Sequence, residues 1–395
     1  MSHDQPIPFA ECPEEPSGCA LERQLPLAAQ TPDMRLSERL EELRCHINRQ
    51  LHEGNGQIHR IAVAVYEPEA KRLKTYSAGG DMPSPLDHYE TRLEEVPTLK
   101  ELAERETPYI VHDYSQHISQ RQHTTSIRNS GLRSGLILPL TYEQDFYGFL
   151  FLNSREPGYF QHGVLQELAP YADLARMLAV TSIRKNRVLR GAARTAMTFG
   201  RARDDETGNH LARMAEYSRL IALELASRYG LGDDYIDMVY HFAPVHDVGK
   251  IAVPDEILLK PGPLTEAEFA KMREHVSRGV AMILAMSEEL GLSEDRRASV
   301  LRNIVGFHHE RLDGSGYPTG ISGERIPLEG RIVAVADVFD ALTSERPYKR
   351  AWSFEEAAAV LREEAEQGKL CADCVHAFLA RSAEVKAIHH RYHDP

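Results

Sequence analysis

The feature that most constrains this chain is a stretch from Gln161 to about Gly200 in which apolar residues recur at helical spacing and no proline follows Pro170. Val164, Leu168, Tyr171, Leu174, Leu178 and Val188 fall near three- and four-residue spacings, the pattern of one amphipathic helix. A helix of that length leaves one folded body and enters another. It also divides the chain by character, since strand-like patterns precede it and every long segment after Arg201 reads as helix. The 395 residues suit such a division, because a single core rarely serves more than about 250. Imperfect heptads leave two roles open for the long helix: pairing with its copy in a homodimer, or packing on its own domain.

Before this helix, residues 1–34 are rich in Pro, Glu, Ser and Gln and lack periodicity, which predicts a disordered or loosely attached extension. LSERLEELRCHINRQL, from Leu36, has a helical pattern, and IHRIAVAVYEP reads as a strand ending at Pro68. SGLILPLTYEQD and FYGFLFLNSREPG form a strand pair joined by polar turn residues between Ser134 and Gly158. The segment between these sheet regions mixes a short strand with helix and loop, and carries His112, His117 and His123 with no diagnostic spacing. The order helix, strand, variable region, hairpin, long helix resembles a GAF domain over roughly residues 36–180. That resemblance implies an α+β sensory domain, an antiparallel sheet with helices, which either encloses an unknown small-molecule ligand or acts as a ligand-free dimerisation module.

Composition narrows the function. A formal net charge of −13 disfavours nonspecific binding of a nucleic-acid polymer, which relies on basic surface to displace counterions from phosphates. An anionic substrate then needs locally concentrated positive charge, from metal ions or a few Lys and Arg. No run approaches the ~18 consecutive apolar residues of a membrane helix, and the N-terminus lacks the basic and apolar regions of a secretory signal. Five cysteines fit a reducing compartment without a disulfide framework, so the cytoplasm is the expected location.

The second half concentrates histidine beside acid. Glu206 and His210 are four apart, so on a helix they project from one face and reach one metal together; either alone reads as solvated surface. His246 and Asp247 are adjacent in the apolar segment HFAPVHDVGKIAVP, with Lys250 one turn later. An imidazole and a carboxylate there are costly to bury without partners, and either a divalent ion or a buried ion pair with a helix cap meets that need. His275 lies on a helix among charged neighbours, His308 and His309 follow the apolar IVGF, and Asp337 sits inside the apolar run IVAVADVF.

Taken together, these residues resemble the HD-GYP family of the HD phosphohydrolase superfamily. The HD pair, HHERLDGSGYP and ADVFDALTSERPYK occur in the family's order over about residues 200–380. The resemblance implies an all-α domain with two or three divalent ions, iron or manganese, that hydrolyses cyclic di-GMP to pGpG and, in a second step, to GMP. Carried over, His210, His246, Asp247 and Asp337 hold one ion. Asp247 bridges to a second held by His275, His308 and His309, and Glu206 matches a ligand of a third. Asp247 and Lys250 are the candidate catalytic residues. Lys250, Asp313, Gly314, Gly316, Tyr317, Pro318, Asp340, Arg346 and Lys349 match substrate-binding positions.

The expected organisation is an extension (1–34), a GAF-like domain (35–160), a linker helix (161–200), an all-α HD-GYP domain (201–382) and a solvated tail (383–395). Where the family usually carries an FDP-like segment this chain reads LCAD, and Cys371 and Cys374 are read as packing thiols rather than a zinc or redox pair. Two competing functions remain: an HD hydrolase of another cyclic dinucleotide or nucleotide, and a non-catalytic cyclic di-GMP receptor.

Overall fold

The computed structural model describes residues 35–51, 57–81, 84–116, 122–201, 208–345 and 350–393. The expected extension, along with Glu206, Arg346, Lys349 and His117, lies outside the described residues. The chain opens with helix α1 (Leu36–Gln50), followed by β1 (Arg60–Glu67), β2 (Arg72–Gly80), β3 (Glu90–Arg92) and α2 (Pro97–Arg105). Then come β4 (Tyr109–Val111), α3 (Gln122–Asn129), β5 (Ser134–Tyr142) and β6 (Asp145–Ser154). The six strands form one sheet in the order β3-β2-β1-β6-β5-β4, every neighbouring pair antiparallel.

Both faces of this sheet are covered, which explains why SGLILPL is apolar without alternation. Leu136, Leu138 and Leu140 of β5 face a core that includes Leu40, Leu43 and Ile47 of α1, whereas Ile137 faces a second core with Leu102, Ile127 and Phe149. A strand buried on two faces must be hydrophobic at successive positions. The expected sheet-and-helix domain is therefore present.

The long helix is α4 (His162–Arg201), 40 residues in one piece with Pro170 in its first turns. Its first half, through Leu168, Ala172, Ala175, Ala179 and Ile183, completes the core beneath the sheet, while Leu189 and Ala193 enter the core of the second half. One helix thus serves two cores.

The second half is all-α: α5 (Gly208–Tyr229), α6 (Asp233–Phe242), α7 (Asp255–Leu258), α8 (Glu266–Glu289), α9 (Arg296–Phe307) and α10 (Leu328–Thr343) are followed by α11 (Phe354–Glu366), α12 (Ala372–Ala380) and α13 (Ser382–Arg391). Tyr217 of α5, Phe339 of α10 and Phe378 of α12 meet edge to face, with centroids 4.8–5.4 Å apart. Thr265 and Glu268 close a capping box at the start of α8, and Ser353 with Glu356 does the same for α11.

The expected solvated tail is a correction. Residues 382–391 form α13, whose Val385 and Ile388 are buried, and the Tyr392 carbonyl accepts from Arg213 Nη1 at 2.5 Å. Cys371 and Cys374 are free thiols packed in the helical core. No described helix is long and apolar enough to cross a membrane.

Candidate metal centre

A break between helices positions the HD pair. After α6 the chain makes two 3-10 turns, Ala243–Val245 and Val248–Ala252, with His246 and Asp247 between them. The second turn lies directly on α8, where a Cβ on Gly249 would overlap the His275 carbonyl oxygen and the backbone of Gly279. Glycine is required there by the close approach of two backbones. The contact brings Asp247 against His275.

The Asp247 carboxylate faces two groups at once. Its Oδ2 lies 3.3 Å from His246 Nε2 and 2.9 Å from Lys250 Nζ, and its Oδ1 lies 3.0 Å from His275 Nε2 and 3.5 Å from His308 Nε2. Asp337 of α10 brings Oδ1 to 3.9 Å from His246 Nε2. Asp247, His275, His308 and His309 each offer a ligand atom within 4.8 Å of the others. The His210 ring stands 5.6 Å from that of His246.

Each ring is aimed by its other nitrogen. His246 Nδ1 is 2.9 Å from the Ala243 carbonyl, His275 Nδ1 is 2.8 Å from that of Met272, and His308 Nδ1 is 3.0 Å from that of Val305. A carbonyl can only accept, so each Nδ1 carries the proton and each Nε2 presents a lone pair inward. Asp247 Oδ1, His275 Nε2 and His308 Nε2 are buried and make no hydrogen bond. Buried polar atoms left this way are costly unless something binds them. Imidazole and carboxylate donors without thiolate suit a divalent ion such as iron or manganese, so the residues present fit the group.

Electrostatics agree with that donor set. Burial works to raise the Asp247 carboxyl, but Lys250 and His246 overcome it and hold it well below its ordinary range, ionised. Burial pushes His308 and His309 down, which keeps both imidazoles neutral.

The signature loop closes one side. Its Tyr317–Pro318 bond is cis, and Tyr317 stacks on His309 with centroids 4.6 Å apart. Gly316 runs so close to the backbone of Glu310 and Arg311 that a side chain has no room. Asp313 is exposed and accepts from Ser315 N and Oγ at 2.9 and 2.6 Å, which stabilises the turn through Gly314. Sequence reasoning missed Glu310, buried behind the loop, whose Oε1 accepts from Thr319 N, Thr319 Oγ1 and Gly320 N. The signal was an acidic residue next to two histidines.

Asp340 corrects one expectation. It is 1% exposed, and its oxygens are taken by Arg213 Nε at 2.5 Å, Arg213 Nη2 at 3.0 Å and His210 Nδ1 at 2.7 Å. It cannot reach substrate; it holds His210 toward the centre. Arg213 and His210 are three apart on α5, a spacing the sequence showed without revealing what faced it.

A second group, Glu67, Asp237 and His241, lies at the junction of the two domains. There the Lys74 ammonium already contacts both carboxylates, 2.6 Å from Glu67 Oε1 and directly against Asp237, and fills the place of a cation.

Residues 205–371 match the HD domain family. The cyclic di-GMP phosphodiesterase response regulator RpfG of Xanthomonas campestris pv. campestris is 46% identical over 187 residues, 47% of this chain and 46% of that protein. The 3'3'-cGAMP-specific phosphodiesterase 2 of Vibrio cholerae is 45% identical over 170 residues, 42% of this chain and 30% of that protein. Among solved structures, the GAF domain/HD domain protein from Geobacter sulfurreducens is 16% identical, with 38% of this chain and 92% of that one covered at a TM-score of 0.29. The chain spans less than half the length of these curated relatives.

Proposed function

We propose, on the premise that residues 205–371 are an HD domain of the HD-GYP kind behind a GAF-like domain, that this chain hydrolyses cyclic di-GMP to linear pGpG, and onward to GMP in a second step. The observation that carries this reading is the Asp247 carboxylate, one oxygen turned to His246 and the other to His275 and His308. In this reading His210, His246, Asp247 and Asp337 hold one ion, Asp247 reaches a second with His275, His308 and His309, and Glu206 joins a third. Iron or manganese ions bound there would supply Lewis acidity at the phosphate and lower the pKa of water.

The chain's own residues do the rest. Lys250, ion-paired to Asp247, sets a positive charge beside the scissile phosphate and its leaving oxygen. Tyr317, half-buried between His309 and Arg273, offers its hydroxyl edge to a guanine base, with the backbone of Asp313, Gly314, Gly316 and Pro318 shaping that wall. Arg346 and Lys349 take the substrate's phosphates. The chain works in the cytoplasm as a homodimer, with the GAF-like domain regulating it either as a small-molecule sensor or as a ligand-free dimerisation module. A second reading, hydrolysis of 3'3'-cGAMP, is favoured by the relative of that specificity at 45% identity.

Protein reconstituted without oxygen with Fe(II) or Mn(II) and given each cyclic dinucleotide separates these readings by product. Cyclic di-GMP is expected to yield pGpG, and His246→Ala and Asp247→Ala to abolish turnover. No linear product under either metal would leave a receptor, and active His246→Ala protein would overturn the site.

A further inference from the structure

A column of rings and one guanidinium leads outward from the centre. His308 and His309 stand 4.1 Å apart, and His309 and Tyr317 stack at 4.6 Å with planes 32° apart. Arg273 Cζ then lies 4.9 Å over the Tyr317 ring and 4.5 Å over the Phe269 ring. The inner members are buried or half-buried, whereas Arg273 is exposed and Phe269 is 42% exposed. Phe269 and Arg273 are four apart on α8, and Arg273 lies two residues before His275 on the same helix. The helix that brings one candidate ligand to the centre therefore also sets this guanidinium at its mouth.

Arg273 has no carboxylate partner and no hydrogen bond among the described residues. Its neighbour Glu274 pairs instead with Lys271 at 3.2 Å and Arg278 at 2.9 Å. In a chain with thirteen more acids than bases, an arginine left over beside a candidate substrate loop is available for an acceptor from outside. Two ring faces hold it by cation–π attraction while its planar edge of N–H donors stays open. Such an edge matches the paired acceptors O6 and N7 of guanine. Adenine sets a donor, N6, beside its N7 and matches the amide of Gln or Asn instead.

We infer that Arg273 reads the O6/N7 edge of a guanine in the cyclic dinucleotide, with Phe269 as the apolar wall beside it. The inference rests on the cyclic-dinucleotide reading of this site and adds the group that selects the base. Cyclic di-GMP and 3'3'-cGAMP both present a guanine to it, and cyclic di-AMP presents none.

The test uses the full chain loaded with Mn(II) and compares kcat/KM for cyclic di-GMP, 3'3'-cGAMP, cyclic di-AMP and bis(p-nitrophenyl) phosphate, a diester without a purine. The wild type is expected to favour the two guanine-containing rings. Arg273→Ala loses about ten- to a hundredfold of that preference through KM, with the nitrophenyl ester unaffected. Arg273→Gln moves the preference toward cyclic di-AMP, a shift that a purely packing role would not produce. Unchanged base preference in both variants, or an equal loss on the nitrophenyl ester, overturns the inference. Wild-type protein that cleaves the nitrophenyl ester but no cyclic dinucleotide overturns the substrate reading, and this inference with it. Wild-type cleavage of cyclic di-GMP with no effect of Arg273 overturns this inference alone.

Discussion

Asp340 lies three residues beyond Asp337 on α10, and that offset turns it from the centre to Arg213. Arg213 is 2% exposed, and besides Asp340 its guanidinium donates to the Ser344 hydroxyl and the Tyr392 carbonyl. Removing the carboxylate strands a buried cation, a loss of about 3–5 kcal/mol in known cases, and releases His210 from its anchor. Asp340→Ala should therefore lower the chemical-denaturation midpoint and the bound metal measured by mass spectrometry. A substrate contact would instead raise KM at unchanged stability. This residue also marks the limit of what the sequence could tell. The adjacent letters of His246 and Asp247, and of His308 and His309, announce a centre because two such groups together are hard to bury. Arg213, Glu310 and Arg273 look like ordinary surface charges, and Asp340 reads as a substrate contact, since their roles depend on which neighbouring element each one meets.

At the scale of elements, α4 buries one face in two cores and leaves another open. Met177, Val188 and Phe199 are 68%, 50% and 64% exposed. They recur every eleven residues, a spacing that returns to one side of a helix after three turns. A stripe of large apolar side chains from Met177 to Phe199 suits a second copy of the same helix. Met177→Glu with Val188→Glu should convert a dimer to a monomer by light scattering and leave the circular-dichroism spectrum intact; an unchanged mass would remove this helix from the interface. The existence of α4, the β5–β6 hairpin and the all-helical second half was legible, because each rests on a long run of one periodicity. The helix α13 was not. IHHRYHDP offers few apolar residues, and the segment is ordered by the contacts of Val385 and Ile388 with the preceding helices and by the bond from Arg213 to the Tyr392 carbonyl, none of which its own letters show.

Across the whole molecule, the two cores share α4, and the remaining contact between the domains is largely ionic. Lys74 of β2 bridges Glu67 of β1 and Asp237 of α6, His241 lies 3.2 Å from Asp237 and 3.5 Å from Glu67, and Asn186 of α4 donates to Asp237 at 3.1 Å. Burial tends to raise the Glu67 carboxyl, yet His241 and Lys74 outweigh it and bring it from 4.5 down to about 2. Asp237, fully buried, is also held well below its ordinary range, with Lys74 and His241 opposing the effect of burial. A carboxylate with a depressed folded-state pKa contributes stability that is complete above its unfolded value and disappears as pH falls through the folded one. For Glu67 the window runs from 4.5 down to about 2, and the contribution above it is on the order of 3 kcal/mol. Glu67→Gln should therefore cost most at pH 7, and its difference from wild type in urea midpoint should shrink as pH drops below about 4.5. Lys74→Met should show the same convergence, because it removes the charge that holds both carboxylates ionised. A difference that stays constant from pH 7 to pH 3 would mean that the junction is held by shape alone, leaving α4 rather than these charges as the link between the two domains.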